Sequence, residues 1–497
     1  MLTLSPLYVA RKSRYVLVSV LLVLGACSRG PLPNPLDDIP LIGKTAIAKP
    51  IVVPPIPAHP WLAPQGVNGI HADSYMSDSY TWPGPLARQA QLQSTSFAQP
   101  VGSCPSHTFD SQGRMIATCV TFFGIKLAAF DPTTLEVIAE KSLGFQLAIG
   151  NNFSGGVYFH LDQDDQVLLV DSKSHIRTYA LTGNDSDLSW VETSAINIAP
   201  ALDAAGPGPH SVIDVMPDWQ GNYWFITRAG LVGYSLRDGS QQHAIALQGE
   251  DFDNALAVAQ DGVYAVSNHA MYRFEADQKN TVNIGWRETY DRGPSPKPGT
   301  MGHGSGTTPT LIGEDYVAVT DNAAGRIKLL VYRRQQDLDQ PRLVCAEPIF
   351  EADKGTSENS LAVAGNAVII ENNYGYQGPK EGLEAEPGIS RVDIRPDGSG
   401  CDTIWENKTV SSPSSVPKIS LANGLIYLYT RIGEDRSDDN QQWSLTTLDF
   451  TSGELVYKIP TGSGMDWNNH YAAITLAPDG SAIVGTIKGL IRIKDAP

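Results

Sequence analysis

The 497-residue sequence is poor in cysteine, in basic charge and in long helical periodicity. Its five cysteines form no Cys-x-x-Cys pair and no cluster with histidine, which disfavours a zinc site. Acidic residues outnumber basic residues by 53 to 36, and no basic stretch alternates with aromatic residues. Because an acidic chain repels phosphate backbones, we expect no nucleic-acid partner.

Several catalytic motifs are also missing. The glycine-rich stretch Gly302–Gly306 has His303 at the position where a nucleophile elbow requires glycine, and no Gly-Lys-Ser/Thr follows that would form a phosphate loop. Its glycines are expected to let the backbone pass close to an axis or a ligand. No two cysteines are adjacent, and the tryptophans share no repeat position. These absences leave a quinone-dependent dehydrogenase as only the second alternative function.

The N-terminus has the features of a secretion signal. Arg11, Lys12 and Arg14 precede an apolar run, residues 16–24, that is too short for a stable membrane span. The run ends in Leu24-Gly25-Ala26-Cys27, which resembles the lipobox of bacterial lipoproteins. The resemblance implies removal of a signal peptide, residues 1–26, and acylation of Cys27. By similarity to Gram-negative sorting, Ser28 in place of aspartate implies a lipid-anchored protein of the outer membrane that faces the periplasm.

Two segments separate the predicted anchor from the main body. Residues 27–66 are dense in proline, which favours extended backbone, and we interpret them as a semi-rigid tether. The alternative is an arm that packs on the body, in which Ile51-Val52-Val53 could take part. Residues 67–100 are richer in aromatic residues and are predicted to dock on the body.

The four remaining cysteines are Cys104, Cys119, Cys345 and Cys401. An even number in an exported chain indicates disulfide bonds, although four cysteines allow three pairings. A Cys104–Cys119 bond would connect neighbouring strands, and a Cys345–Cys401 bond would connect two later strands. We interpret all four as structural staples.

Residues 101–497 consist of short apolar runs separated by turn residues. Eight turns recur at roughly 50-residue intervals, each between two β-rich runs. They are Asp110–Gly113, Asp162–Asp165, Asp218–Gly221, Gln260–Gly262, Gly313–Asp315, Ala364–Asn366, Ala422–Gly424 and Pro478–Gly480. One such hairpin cannot bury its own face, whereas blades arranged around an axis can. The pattern therefore predicts an all-β fold, a single β-propeller of eight blades, with seven as the alternative.

The last repeat stops one strand short, after residue 493, so an N-terminal strand near residues 86–100 is expected to complete the final blade and close the ring. This repeat pattern resembles the quinoprotein-like and gluconolactonase/paraoxonase-like propeller superfamilies. The resemblance covers about residues 100–495 and rests on repeat character, and a shared fold does not by itself determine function.

Polar residues precede the innermost strand of every predicted blade. By resemblance to lactonase-type propellers, carboxylate and amide oxygens at these places could hold calcium, which takes roughly 6–8 oxygen ligands. The candidate metal ligands are Glu358, Asn359, Asp253, Asn254 and Asn469. The candidate proton-transfer groups are His303, His210 and His470. The alternative is that such residues only cap turns by bonding to nearby backbone.

These observations predict a periplasmic lipoprotein whose propeller binds a small ligand at its central channel. Metal-assisted hydrolysis of an ester or a lactone is the enzymatic form of this hypothesis. The alternative is a non-catalytic scaffold that binds other proteins of the envelope.

The lipid anchor can be tested by replacing Cys27 with serine. We expect the wild-type protein to partition into the detergent phase of Triton X-114 and to lack residues 1–26. The Cys27→Ser variant should remain in the aqueous phase, because acyl chains supply the membrane affinity. Equal partitioning of the two proteins would contradict the prediction.

Overall fold

A computed structural model describes residues 41–97, 102–121, 124–144, 158–184, 187–379, 385–432 and 441–497. The described chain is almost entirely β, and its strands form eight sheets arranged as one β-propeller, with antiparallel pairing throughout except between β2 and β28. The first strands of several neighbouring blades contact one another around the axis. The predicted fold and the count of eight blades are confirmed.

The strands are numbered in chain order, and three precede the first complete blade: β1 (Ile42–Gly43), β2 (Ser79–Tyr80) and β3 (Gln91–Ser96). Blades 1 to 4 contain, from the axis outward, β4 (Gly102–Phe109), β5 (Met115–Thr121), β6 (Gly124–Phe130), β7 (Val137–Ser142); β8 (His160–Leu161), β9 (Val167–Val170), β10 (His175–Thr182), β11 (Ser189–Asn197); β12 (Val212–Pro217), β13 (Tyr223–Thr227), β14 (Leu231–Ser235), β15 (Gln242–Ala246); and β16 (Ala257–Ala259), β17 (Gly262–Val266), β18 (Ala270–Ala276), β19 (Val282–Thr289). One α-helix, α1 (Ala199–Ala205), joins blades 2 and 3.

Blades 5 to 8 continue in the same order with β20 (Thr310–Ile312), β21 (Tyr316–Thr320), β22 (Lys328–Arg333), β23 (Leu343–Pro348); β24 (Ala362–Ala364), β25 (Ala367–Glu371), β26 (Ile389–Ile394), β27 (Cys401–Asn407); β28 (Lys418–Ser420), β29 (Leu425–Ile432), β30 (Gln442–Asp449), β31 (Leu455–Ser463); and β32 (Ile474–Leu476), β33 (Ala482–Gly485), β34 (Gly489–Lys494). A short 3-10 helix (Met465–Trp467) precedes the last blade. Among the described residues, no helix is long and apolar enough to cross a bilayer.

Aspartate side chains shape the hairpin between the first and second strands of several blades. Oδ1 of Asp110 accepts from the N–H groups two and four residues ahead, at 3.0 and 2.9 Å. Asp162 and Asp218 make the same pair of bonds in blades 2 and 3. Such local bonds satisfy turn N–H groups that no strand reaches, which explains why the turn signal recurs in the sequence.

The N-terminal strand β3 pairs antiparallel with β34 over six residues, Gln91–Ser96. It thereby supplies the outer strand of blade 8, whose other three strands come from the C-terminus. The predicted closure of the ring by an N-terminal strand is confirmed.

Both disulfide bonds connect strands. Cys104–Cys119 joins β4 to β5 within blade 1. Cys345–Cys401 joins β23 of blade 5 to β27 of blade 6, so it links the outer strands of two blades. The predicted structural pairing of the cysteines is confirmed.

Residues 41–66 lie against the propeller. Ile42 and Gly43 pair with β31, and the N–H groups of Lys49 and Ile51 donate to carbonyls of residues 423 and 421, each at 2.8 Å. Trp61 donates to the carbonyl of Trp219. For these residues the structure therefore shows the packed arm and not the predicted spacer. The reason is that their backbone groups form hydrogen bonds with strand edges and loops of the propeller. Residues 1–40, including Cys27, lie outside the described residues, so the anchor stays a prediction.

Residues 68–80 form an axial segment that lies inside the ring, and every one of them is buried. The carbonyl groups of this segment accept from the innermost strands of five blades and from Leu421, which follows one of these strands. The bonds are Leu161 N–H to Asn68 (2.7 Å), Val258 to Ser74 (2.8 Å), Leu311 to Tyr75 (2.9 Å), Val363 to Ser77 (2.8 Å), Ile419 to Asp78 (3.0 Å) and Leu421 to Tyr80 (2.8 Å). The predicted docking arm thus passes through the channel itself.

The axial segment is curved by three left-handed residues, Ala72, Met76 and Asp78. Asp73 holds the curve, because its Oδ1 accepts from the N–H groups of Tyr75 (2.9 Å) and Ser77 (3.3 Å). Burial raises the pKa of Asp73 to about 7, although the bonds from Ser77 oppose the increase. The curve lets successive carbonyls point outward at successive blades.

A buried ion pair anchors the same segment. Asp78 bonds to Nζ of Lys418, the first residue of β28, and both side chains have no exposed surface. Lys418 also donates to the carbonyl of Ile70 at 2.8 Å. An ion pair without access to water depends on both partners, because removal of one leaves an uncompensated buried charge.

Lys418→Met is expected to lower the free energy of unfolding by about 3–5 kcal/mol, because it leaves Asp78 buried without a cation. Urea denaturation followed by tryptophan fluorescence measures the change. The matched control is Lys354→Met, which breaks an exposed ion pair with Glu351 and should leave stability nearly unchanged. Equal stability of the Lys418→Met variant and the wild type would contradict this account of the axial segment.

Candidate functional site

The upper face of the propeller is formed by the loops that precede each innermost strand and by those between the second and third strands. Its centre is the upper mouth of the channel, above the axial segment. Tyr158, Asp253 and Glu358 come from the loops before β8, β16 and β24, and Arg228 follows β13. The blade topology brings these four side chains, which are far apart in the sequence, to one end of the channel.

Glu358 is a deeply buried acid of the upper mouth, at 5% exposure. Its backbone N–H donates to Oδ1 of Asn373 at 2.6 Å. Its Oε1 has no hydrogen-bond partner among the described residues. Burial raises the pKa of Glu358 well above its ordinary value, and the charge of Asp253 raises it further. Glu358 therefore favours the protonated form, which can donate a hydrogen bond.

Arg228 and Asp253 form an ion pair beside Glu358. Burial raises the pKa of Asp253, while the positive charge of Arg228 opposes that increase. The Arg228 side chain is 43% exposed, and its Nε has no hydrogen-bond partner among the described residues. The Arg228 guanidinium can therefore donate hydrogen bonds to a group other than Asp253.

Two glycines of the Gly302–Gly306 loop make room for these carboxylates. A methyl group on Gly302 would lie 2.1 Å from Oδ2 of Asp253, and one on Gly306 would lie 2.4 Å from Oε2 of Glu358. At Gly306 the methyl group would also meet the backbone of residues 357 and 358, so this position requires glycine, whereas at Gly302 a larger residue would require the Asp253 side chain to move. This packing is consistent with the predicted close approach of the loop's backbone.

Two tyrosines complete the surroundings of Glu358. Burial raises the pKa of Tyr158, and the charges of Asp214 and Glu358 contribute. Burial raises the pKa of Tyr471 in the same way, with contributions from Glu358, Tyr376 and Glu371. Both phenols therefore stay neutral and can donate a hydrogen bond.

The predicted amide ligands have different protein partners. Asn254 Nδ2 donates to the carbonyl of Ser305 at 3.4 Å, and Asn359 Nδ2 bonds to the carboxylate of Glu371. Asn469 Nδ2 donates to the carbonyls of Ser414 and Ala472, both at 3.2 Å. Its Oδ1 accepts from the Ser414 hydroxyl, also at 3.2 Å. These bonds are the local polar contacts that the capping alternative describes.

The three predicted proton-transfer histidines have separate partners. His303 Nδ1 lies 2.6 Å from Arg292 and its Nε2 lies 3.0 Å from the carbonyl of Gly293. His210 Nε2 lies 2.8 Å from Asp203 in α1, and His470 Nδ1 lies 2.9 Å from the hydroxyl of Tyr376. Burial lowers the pKa of His470. Nothing in these contacts brings the three imidazoles to one centre, so their catalytic roles stay predictions.

The upper mouth offers calcium an incomplete set of ligands. The charge of Asp253 contributes to the raised pKa of Glu358, and Glu358 has one oxygen without a partner among the described residues. However, Asp253 is paired with Arg228, and both donor and acceptor atoms of Asn469 are engaged. Across the described residues, no group of three or more histidine, cysteine, aspartate or glutamate side chains could hold a metal ion. The residues present do not match a full calcium shell, and calcium binding stays a prediction from the sequence.

Arg228, Tyr158 and Tyr471 are not among the site residues predicted from the sequence. Arg228 follows a second strand, and we considered only residues before first strands. Tyr471 directly follows the Asn469-His470 pair that we did select. A search of every second-to-third-strand loop for charged residues would have found Arg228.

No protein-family model matches the chain. A protein of Archaeoglobus fulgidus described as "Uncharacterized protein" is 27% identical over 436 residues, with 80% of each chain covered. Among solved structures, a streptogramin B lyase is 10% identical with a TM-score of 0.38, covering 82% of this chain and 97% of its own. BamB from Moraxella catarrhalis is 10% identical with a TM-score of 0.36, and the match covers 66% of this chain and 93% of BamB. A putative 6-phosphogluconolactonase from Bacteroides fragilis is 13% identical with a TM-score of 0.39, and the match covers 77% of this chain and 86% of that protein. These are β-propeller proteins, and at such low similarity no argument about function rests on them.

Glu358→Gln should become more stable relative to the wild type as the pH rises from 4 to 8. Below the ordinary value of 4.5 both the folded and the unfolded wild-type chains carry the proton. Above it the unfolded chain releases the proton first, so the wild type loses stability until the pH reaches the raised pKa of the folded state. Urea denaturation at several pH values measures the trend. The exposed control Glu351→Gln should show none, and a pH-independent difference for Glu358→Gln would contradict the assignment.

Proposed function

We propose that the protein binds a small neutral ligand at the upper mouth of its propeller, and that the ligand presents a carbonyl oxygen, as an ester or a lactone does. The proposal includes its location, as a lipoprotein anchored through Cys27 to the outer membrane and facing the periplasm. The observation that carries the binding proposal is the buried, unpartnered Oε1 of Glu358.

The chemistry of the site supports this class of ligand. A buried polar atom without a partner costs free energy, which a ligand that completes its hydrogen bond recovers. A protonated Glu358 and the Arg228 guanidinium are both donors, and a carbonyl oxygen accepts two hydrogen bonds. The low polarity that raises the pKa of Glu358 also strengthens such bonds. Hydrolysis of the bound ester or lactone is the enzymatic form of the proposal.

The alternative is a scaffold that binds envelope proteins through its surface. A scaffold does not require a carboxylic acid beneath its upper face, so it should tolerate alanine at Glu358 without loss of its partners. Retention of envelope partners by Glu358→Ala, together with absence of small-molecule binding, would favour the scaffold.

Binding can be tested with δ-valerolactam, a stable isostere of a lactone. We expect saturation-transfer NMR to detect its contact with the wild-type protein, and Glu358→Ala or Arg228→Ala to weaken binding about 5- to 150-fold, since each removes a donor worth roughly 1–3 kcal/mol. The matched control is Glu351→Gln, an exposed acid outside the mouth, which should bind normally. Absence of binding to the wild type, or equal binding by Glu358→Ala, would overturn the proposal.

Calcium has its own test in the same samples. Millimolar calcium added after chelation should raise the melting temperature if the ion binds the folded protein, because a ligand of the folded state stabilises it. An unchanged melting temperature, with no metal found by elemental analysis, would remove calcium from the proposal. Binding through Glu358 and Arg228 does not depend on that result.

A further inference from the structure

A histidine–aspartate pair lies on the axial segment beneath the upper mouth. His71 Nδ1 is 2.9 Å from Oδ2 of Asp78, and the two residues are 4% and 0% exposed. The other carboxylate oxygen of Asp78 bonds to Lys418. The sequence predicts no role for His71 or Asp78 beyond the docking of residues 67–100.

The bond to Asp78 determines which nitrogen of the imidazole is free. Asp78 can only accept when it is ionised beside Lys418, so Nδ1 of His71 carries the hydrogen and Nε2 has the lone pair. Nε2 is buried and has no hydrogen-bond partner among the described residues. The positive charge of Lys418 balances the negative charge of Asp78. An oriented imidazole with a free lone pair is the form that accepts a proton.

Other buried histidines of the channel lack this combination. Both ring nitrogens of His160 have partners, Asn68 at 3.1 Å and Asp214 at 2.9 Å. His107 has an unpartnered Nε2, but its Nδ1 faces only the hydroxyl of Thr475 at 3.5 Å and no carboxylate. Burial lowers the pKa of His107 to about 3. His71 is thus set apart by its carboxylate partner.

Tyr158 connects this pair to the proposed binding site. Its ring stacks on His71 with centroids 6.2 Å apart and an interplanar angle of 26°. Its hydroxyl is influenced by the charges of Glu358 and Arg228 and also by that of Asp78. The charged groups beside His71 are Asp78 and Lys418. Asp73, on the same segment, interacts with Asp78.

We propose that Nε2 of His71 is the general base of the upper mouth and that the protein hydrolyses the ester or lactone bound there. This inference rests on the proposed function. Nε2 accepts a proton from a water molecule while the water oxygen forms a bond to the ligand's carbonyl carbon. The carbonyl oxygen gains the electron pair and is stabilised by the donors of Glu358 and Arg228. The acyl–oxygen bond then breaks, and the imidazolium returns the proton to the leaving oxygen.

The pair Asp78–Lys418 orients the base and is not itself in contact with the ligand. Asp78 keeps the hydrogen on Nδ1 and stabilises the imidazolium that forms during the step. Lys418 holds Asp78 in place through its second bond to the backbone at Ile70. This arrangement also explains why a costly buried ion pair lies directly below the mouth.

The test compares His71→Asn with His107→Asn, using dihydrocoumarin as the lactone and its absorbance as the readout. An asparagine amide can keep the hydrogen bond to Asp78 but has no atom at the position of Nε2. We expect kcat to fall on the order of 100-fold in His71→Asn, the usual contribution of a general base, while δ-valerolactam binding is retained. His107→Asn should leave kcat unchanged. The wild-type kcat should also be lower in D2O than in H2O, a readout that needs no variant.

Each outcome supports or overturns one of the two proposals. Retained binding with lost turnover in His71→Asn alone supports the general base. Binding of δ-valerolactam without turnover of dihydrocoumarin by the wild type overturns the general base and leaves the binding site standing. Equal turnover by His71→Asn and the wild type, or the absence of a solvent isotope effect, also overturns it. Absence of δ-valerolactam binding to the wild type overturns both proposals.

Discussion

The innermost strand of a propeller blade has one edge without a neighbouring strand, so some of its N–H groups face the axis. Eight such edges meet in this ring, where a buried N–H without a partner is costly. The axial segment meets this requirement with its carbonyl groups, which bond to blades 2, 4, 5, 6 and 7. Its path in turn requires left-handed residues, the Asp73 bonds and the Asp78–Lys418 ion pair. The ring and the segment therefore stabilise each other.

The same constraint determines where a ligand can be bound. Because the segment occupies the channel at the level of the inner strands, the proposed ligand site lies at the upper mouth. The segment contributes His71, whose ring stacks on Tyr158. Glu358, Arg228 and Tyr158 come from the blades, while His71 and Asp78 come from the N-terminal segment. The proposed site therefore depends on the N-terminal part of the chain, which supplies both the axial segment and the closing strand β3.

Local chemistry made much of the fold predictable. The turn aspartates and glycines recur because each hairpin needs them, and the missing strand after residue 493 indicated closure by β3. The axial segment could not be predicted in this way, since it binds through backbone carbonyls and residues 68–80 show no strand pattern. Glu358 was found because it precedes an inner strand. His71 was not, because its chemistry depends on Asp78 and Lys418, and Lys418 is 340 residues away from Asp78 in the sequence.

Hydrogen–deuterium exchange of the amide groups tests the central claim most directly. If residues 68–80 lie inside the ring and bond to the inner strands, then Val258, Leu311, Val363 and Ile419 should exchange slowly. Peptides that cover residues 68–80 should be protected to a similar degree, since they open only with the propeller. Rapid exchange of residues 68–80, with the blades still protected, would show that the segment lies outside the channel and would contradict this account.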